Sequence, residues 1–323
     1  MEEVLKKIYV KINFLFKKHF KKDVLINQIE KEIKEEKKKL EIEYKEKRKN
    51  LEKEKEKKFL ANHIDFNLNS YRLIRYKDKH LGQRCFIIGN GPSLKAKDLE
   101  KIKGEFSFGA NMIYKIFPKT HWRPTYYLVE DPLAYRNNLK EIKKIKCPKF
   151  VSDIALERMK LPLVREGVKF LDYLYYWDTY PKFPPLTVDF TQEVWCMYNV
   201  GHMMINAAIY MGFKEIYLLG MDFSYDFSGL TETKVIGKNG KEEIRFVVTG
   251  KVDNHFAKGL LKLGQEVYIA DTKYALKGFE VLEKESKNLG IKIYNATRGG
   301  KLEVFDRIDL DTIFEKKNEK RKQ

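Results

Sequence analysis

The run Cys85-Phe86-Ile87-Ile88-Gly89-Asn90-Gly91-Pro92-Ser93-Leu94 passes from four consecutive apolar residues straight into a glycine-rich turn. Apolar residues at every position, rather than at every second one, predict a strand buried on both faces, the pattern of a parallel sheet. Two glycines permit a tight turn and let a ligand approach the main chain closely. Ser93 is placed to cap a helix running through Leu94, Leu99 and Ile102. Strand, turn and helix start together bring N–H groups and a helix dipole to one point, which predicts a phosphate site and a nucleotide-using enzyme. The turn is neither a Walker P-loop nor the G-x-G-x-x-G of dinucleotide binders. A βα turn without a ligand is the structural alternative.

Outward from this run the pattern repeats. Phe106–Asn111, Pro124–Val129 and Lys149–Ser152 read as further strands, and Asn199-Val200-Gly201-His202 opens a helix through Met203, Ala207, Ala208 and Met211. The strand Ile216–Leu219 follows, ending at Gly220-Met221-Asp222-Phe223. Alternating strands and helices predict an α/β fold with a doubly wound, mostly parallel sheet of the Rossmann-like type. Asn90, Asn111, Asp131 and Asp222 each fall just past a predicted strand end, the edge at which open α/β sheets bind ligands. Each could equally be a turn-former or helix cap.

The organisation expected is an α/β domain over 80–315, with a lid or hairpin over 224–260, behind a helical appendage. Residues 1–25 place Val4, Leu5, Ile8, Ile12, Leu15 and Phe16 at helical spacing among lysines, a basic amphipathic helix. It suits an anionic membrane surface or a partner subunit. Residues 26–58 are mostly Lys and Glu, with Ile26, Ile33 and Leu40 seven apart, a thin heptad seam that predicts a weak coiled coil over 26–75 and a homo-oligomer, with a solvated single helix as the structural alternative. Residues 316–323 form a basic tail.

The formal net charge is +18, and residues 1–60 hold 20 Lys/Arg against 13 Asp/Glu. No nucleic-acid motif with a defined signature accompanies it, so no nucleic-acid partner is expected. Three cysteines form no CxxC pair, six histidines show no paired spacing, and no apolar run reaches membrane-spanning length. With no signal-peptide pattern either, a cytoplasmic protein is expected, peripheral on the inner face of the membrane if the first helix binds there.

His255, in Asp253-Asn254-His255-Phe256, is the candidate general base, because a histidine near neutral pKa can deprotonate a hydroxyl. A surface-loop histidine is its structural alternative. Asn295-Ala296-Thr297-Arg298-Gly299-Gly300 follows the strand Ile291–Tyr294, and Arg298 with the backbone donors there could hold an anion.

Taken in order, IIGNGPSL, Asn111, Asp131-Pro132, Gly201 and GFKEIYLLGMDF (Gly212–Phe223) resemble the bacterial CMP-sialic-acid-dependent sialyltransferases. With NHF (Asn254–Phe256) and NATRGGKLEVF (Asn295–Phe305), the chain is also similar to the 6-hydroxymethylpterin diphosphokinase MptE-like proteins, which include motility accessory factors. The resemblance covers about residues 82–310 and implies a sialyltransferase-type fold. It implies further that Gly89, Asn90, Gly91, Ser93, Asn111, Asp131, Asn199, Gly201 and Asp222 surround a CMP-activated sugar donor. His255 would be the base, Arg298 would aid the departing phosphate, and a glycan or lipid-linked hydroxyl would be the acceptor. The chain has Asp131 where the sialyltransferases have asparagine, and Asn199-Val200-Gly201 where they have Thr-Ser-Gly. No cofactor or metal is required on this reading. Two alternatives are an Mg²⁺-dependent diphosphokinase using ATP, with Asp131 and Asp222 near the metal, and a nucleotide-binding scaffold.

Overall fold

Strand β1 (Arg84–Ile88) sends Cys85 and Ile87 into one hydrophobic core and Phe86 and Ile88 into another, all four fully buried. Burying each such side chain contributes about 2 kcal/mol, so the continuous apolar run is what fixes this strand inside a two-sided sheet. The computed structural model describes residues 72–152, 171–176, 189–190, 193–194, 199–236, 242–256, 259–269 and 272–319, together with eight helical positions between 31 and 50. The chain divides into a unit 1–67 and a unit 68–323, and the latter carries the sheet.

On one side of β1 stand β2 (Ser107–Ala110), β3 (Tyr126–Val129), β4 (Lys149–Ser152), β5 (Leu171–Tyr176) and β6 (Glu193–Val194) in chain order. On the other side lie β7 (Glu215–Leu219), then β11 (Lys292–Asn295) and β12 (Asp306–Arg307). Every pairing in this nine-stranded sheet is parallel. Phe86 pairs with both Ser107 and Tyr217, so β1 and β7 are the neighbours between which the chain reverses its direction across the sheet. That is the topological switch point, outside whose strand C-termini α/β proteins place ligands.

Helices cover both faces. Met203, Met204 and Ala207 of α3 (Val200–Tyr210) and Phe279 and Leu282 of α4 (Thr272–Asn288) pack with Cys85 and Ile87. Leu99 of α1 (Ala96–Lys101), Tyr135 and Ile142 of α2 (Pro132–Ile142), and Leu310 and Ile313 of α5 (Leu310–Glu319) pack with Phe86 and Ile88. A kinked 3₁₀ stretch, Asn111–Lys119, joins β2 to β3. The doubly wound α/β fold expected from sequence is therefore present. A second, antiparallel sheet of order β10-β9-β8 projects after β7, built from β8 (Leu230–Ile236), β9 (Glu242–Val248) and β10 (Glu266–Val267).

Two expectations shift. Ser93 is not a helix cap: α1 begins at Ala96 with Lys95 at its N-cap and no side-chain cap bond, because Ser93 is engaged elsewhere. Residues 72–80, which the expected domain boundary at 80 leaves outside the α/β domain, supply it with core side chains. Leu73 and Tyr76 are buried there, with Tyr76 edge-on to Tyr126 and Phe150. His80 bonds Tyr126 Oη at 2.7 Å and stacks on Phe213. The basic helix 1–25, most of the heptad seam and the hairpin turn 238–241 lie outside the described residues.

Candidate functional site

At the switch point the glycine turn closes against the end of β7. Gly89 N–H donates to Leu219 O at 2.8 Å and Gly91 N–H to Gly220 O at 2.9 Å. The Asp222 carboxylate accepts from Ser93 N–H at 3.2 Å and from Ser93 Oγ at 2.8 Å. A methyl group on Gly91 would meet Asp222 Oδ2 at 1.9 Å, and one on Gly89 would meet Gly220 O at 2.3 Å. The glycines are therefore there for backbone contact between two strands. Burial raises the Asp222 pKa, against the Ser93 hydroxyl and N–H bonds that favour the charged form. This corrects the phosphate expectation: the N–H groups of Gly89, Gly91 and Ser93 are spent within the protein, and a carboxylate fills the mouth of the turn.

The two asparagines beside it are arranged differently. Asn90 Nδ2 donates to Ala110 O at 3.0 Å, which draws the turn onto the end of β2, while Asn90 Oδ1 is buried with no partner. The residue after Ala110 is Asn111, held at a φ of 49° with its carbonyl accepting from Tyr127 Oη at 2.6 Å. Its Oδ1 is likewise buried and without a partner. Buried acceptors left unsatisfied are costly and rare. Two of them lie here, at adjoining strand ends.

Asp131 and Asn199 serve as helix caps. Asp131 Oδ1 accepts from Leu133 N–H at 2.7 Å and Ala134 N–H at 3.2 Å ahead of Pro132, the first residue of α2. Burial raises its pKa against those two bonds. Asn199 accepts from Gly201 N–H at 2.7 Å to start α3. Gly201 itself leaves room for Met221, whose Cε would lie 2.2 Å from an added methyl. The start of α3 is thereby fixed against the end of β7, with its dipole directed at the switch point.

His255 is brought to the same place. The backbone N–H of its neighbour Phe256 donates to Asn90 O at 3.0 Å. Asn254 Nδ2 donates to Asp226 O at 2.9 Å, and Asn254 Oδ1 accepts from Asp226 N–H, clasping the base of the β8–β9 hairpin. Burial lowers the His255 pKa to about 4, so the ring is neutral at pH 7 and able to accept a proton. Tyr225, three residues past Asp222 and not singled out by sequence, is pushed up to about 12 by burial and by the negative charge of Glu130.

Arg298 belongs to a different assembly. Its guanidinium makes a two-pronged contact with Asp98 on α1, with Nε to Oδ2 at 3.1 Å and Nη2 to Oδ1 at 3.0 Å, and also reaches Asp311 on α5 at 3.2 Å. Lys101 also bonds Asp311. These hydrogen bonds raise the Arg298 pKa. The sequence suggests that Arg298 stabilises a departing phosphate; in the structure its donors hold the loop after β11 to two helices. Arg307 donates to the Gly299 carbonyl at 2.8 Å, and the pair border a cleft of about 380 Å³ with Thr297 and Asp309. Among the described residues no three His, Cys, Asp or Glu side chains converge as a metal site. Asp131 and Asp222, the carboxylates expected near Mg²⁺ in the ATP reading, each already accept backbone N–H groups. No described helix is long and apolar enough to cross a membrane.

Several solved structures are similar in fold. The Maf glycosyltransferase of Magnetospirillum magneticum AMB-1 matches at 14% identity and a TM-score of 0.45, covering 76% of this chain and 39% of that one. The chain thus spans well under half the length of that protein. The Campylobacter jejuni sialyltransferase CstII in complex with cytidine-5′-monophosphate matches at 21% identity and a TM-score of 0.40, covering 71% and 85%. The C. jejuni α-2,3-sialyltransferase Cst-I matches at 16% and 0.36, covering 66% and 75%. No curated protein matches the sequence. A family model described as 6-hydroxymethylpterin diphosphokinase MptE-like matches residues 57–227, more than half of the chain and the whole segment that builds the switch point as far as Phe227. The chain belongs to the MptE-like family.

Proposed function

We propose that this protein is a glycosyltransferase that moves a sialic- or nonulosonic-type sugar from a CMP-activated donor to a hydroxyl of a cell-surface glycan, glycoconjugate or lipid-linked acceptor, without a metal. The observation that carries the reading is the pair of buried, unpartnered carbonyl oxygens of Asn90 and Asn111 at the switch point. They call for N–H and O–H donors, which the amino group of a cytosine and the hydroxyls of a ribose supply. With the glycine turn closed by Asp222, the nucleoside lies against the asparagines and the phosphate faces the start of α3, whose dipole favours negative charge.

In the transfer, the acceptor oxygen bonds to the anomeric carbon as the bond from that carbon to the CMP phosphate oxygen breaks. CMP leaves with the electron pair. His255, neutral at pH 7, takes the acceptor's proton. The negative charge of the bound donor raises the basicity of a histidine beside it.

A second reading follows from the family description: Mg²⁺-dependent diphosphoryl transfer from ATP. Calorimetric binding of CMP, CDP, UDP, GDP and ATP, each with and without Mg²⁺, separates the two. Metal-independent preference for CMP supports sugar transfer, and turnover of CMP-sugars by the full chain completes the case. Mg²⁺-dependent binding of ATP with CMP ignored overturns it.

A further inference from the structure

Strand β8 is the outer strand of the small sheet, and β9 is its one strand partner among the described residues. Gly229, just before β8, accepts through its carbonyl from Thr249 and Gly250 N–H on the β9 side. In an antiparallel ladder such groups alternate. The odd-numbered residues of β8 therefore bond to β9, and Glu232, Lys234 and Ile236 direct their backbone N–H and C=O to the open edge. All three side chains are exposed, Ile236 by 73%.

The order Leu230-Thr231-Glu232-Thr233-Lys234-Val235-Ile236 is complementary to itself when reversed. We propose that β8 pairs antiparallel with β8 of a second copy of this chain, about a two-fold axis through Thr233. In that register Glu232 faces the partner's Lys234, Leu230 faces the partner's Ile236, and Thr233 faces its own equivalent. The edge-facing backbone groups of the two strands meet, as an antiparallel ladder requires. Sliding by two residues keeps the backbone match but sets Glu232 against Glu232, or Lys234 against Lys234, and like charges directly opposite are destabilising. Charges on an edge strand commonly prevent pairing of any kind. Here their opposite signs, two residues apart about the centre, block the neighbouring registers and leave one. Lys234 also has an interaction within its own chain, which this pairing does not require it to lack. The result is a six-stranded sheet across the axis, with an isologous interface.

Cysteine cross-linking of the full-length chain tests the register. At Thr233 the two equivalent Cα atoms would stand about 4.5 Å apart, within the roughly 4.4–6.8 Å a disulfide spans. Under mild oxidation Thr233→Cys gives a covalent dimer on non-reducing gels, and Glu232→Cys and Lys234→Cys, which report the slipped registers, give little. The unsubstituted chain, with its own cysteines, is the blank. Adding Glu232→Lys or Lys234→Glu to Thr233→Cys lowers the dimer yield about tenfold, since two cross-strand pairs turn repulsive at once. Mixing those two double variants restores the yield as a mixed dimer. Equal cross-linking at all three positions, none above the blank, or indifference to the charge reversals overturns the proposal. Dimerisation through the heptad seam expected from sequence over 26–75 would survive every one of these substitutions and so cannot imitate the result.

Discussion

At Gly91 there is no room for even one methyl group, since the Asp222 carboxylate and the Gly220 carbonyl occupy that space. Gly91→Ala must push Asp222 off Ser93 or open the β1–β7 junction. Overpacking of this kind destabilises by about 1–3 kcal/mol, which urea unfolding reads directly, and the Asn90 site beside it is lost in the same step. His255 gives a second prediction, with the sign set by burial. Its folded pKa, about 4, lies below its ordinary value of 6.5, so between these pH values the unfolded chain binds the extra proton. The stabilisation is therefore complete above pH 6.5 and is lost as pH falls toward 4. His255→Asn should flatten the fall in melting temperature across that window relative to the unsubstituted protein. If both proteins melt alike from pH 7 to pH 4, desolvation does not hold the His255 pKa down. The strand and the tight turn after it were legible, because four consecutive apolar residues running into two glycines fit a strand buried on both faces that must turn sharply. The engagement of Ser93 by Asp222 was not, since nothing local to either residue announces a partner 129 positions away.

Among the elements, β1, β3 and β7 could be read because residues buried on both faces must be apolar at every position. Strands β6 and β12, two residues each, are too short to show any period. The contacts of the loop after β11 were hidden for another reason. Thr-Arg-Gly-Gly has the composition of an anion site, and only the fold reveals that Asp98 of α1 and Asp311 of α5 reach its arginine first. The two roles for Arg298 predict opposite measurements. As a clamp, its removal leaves the Asp98 side chain, 4% exposed, without its countercharge. Removing one partner of a buried pair is destabilising by about 3–5 kcal/mol. Arg298→Ala should therefore unfold at markedly lower denaturant, and Arg298→Lys should recover part of the loss. An unchanged unfolding midpoint with lost nucleotide binding would return the arginine to the ligand.

For the whole molecule, the boundary of the folded unit is where the charge pattern and the packing disagree. Lys and Glu dominate residues 31–58, whereas residues 59–75 contain neither, so the charge run ends well before the strands of the α/β domain begin. The contacts divide the chain after residue 67 instead. Leu73 and Tyr76 sit in the same core as β1, β2, β4 and α3, and Tyr210 Oη donates to the Leu73 carbonyl at 3.2 Å. Asp78, His80 and Gly82 N–H groups donate to the carbonyls of Tyr210, Met211 and Gly212. This segment therefore closes the end of α3, the helix whose start faces the switch point. Two truncations separate the alternatives. A chain starting at residue 68 keeps every described core residue and should melt within a few degrees of the full chain, with nucleotide binding intact. A chain starting at residue 81 loses Leu73, Tyr76 and His80 together. Large-to-small changes at single core positions already cost about 2–5 kcal/mol, a large share of the roughly 5–15 kcal/mol that stabilises a typical domain. That shorter chain should unfold or aggregate on expression. If the two behave alike in urea unfolding, residues 72–80 are an accessory to the domain, and its edge lies near residue 80, where the strand pattern alone would put it.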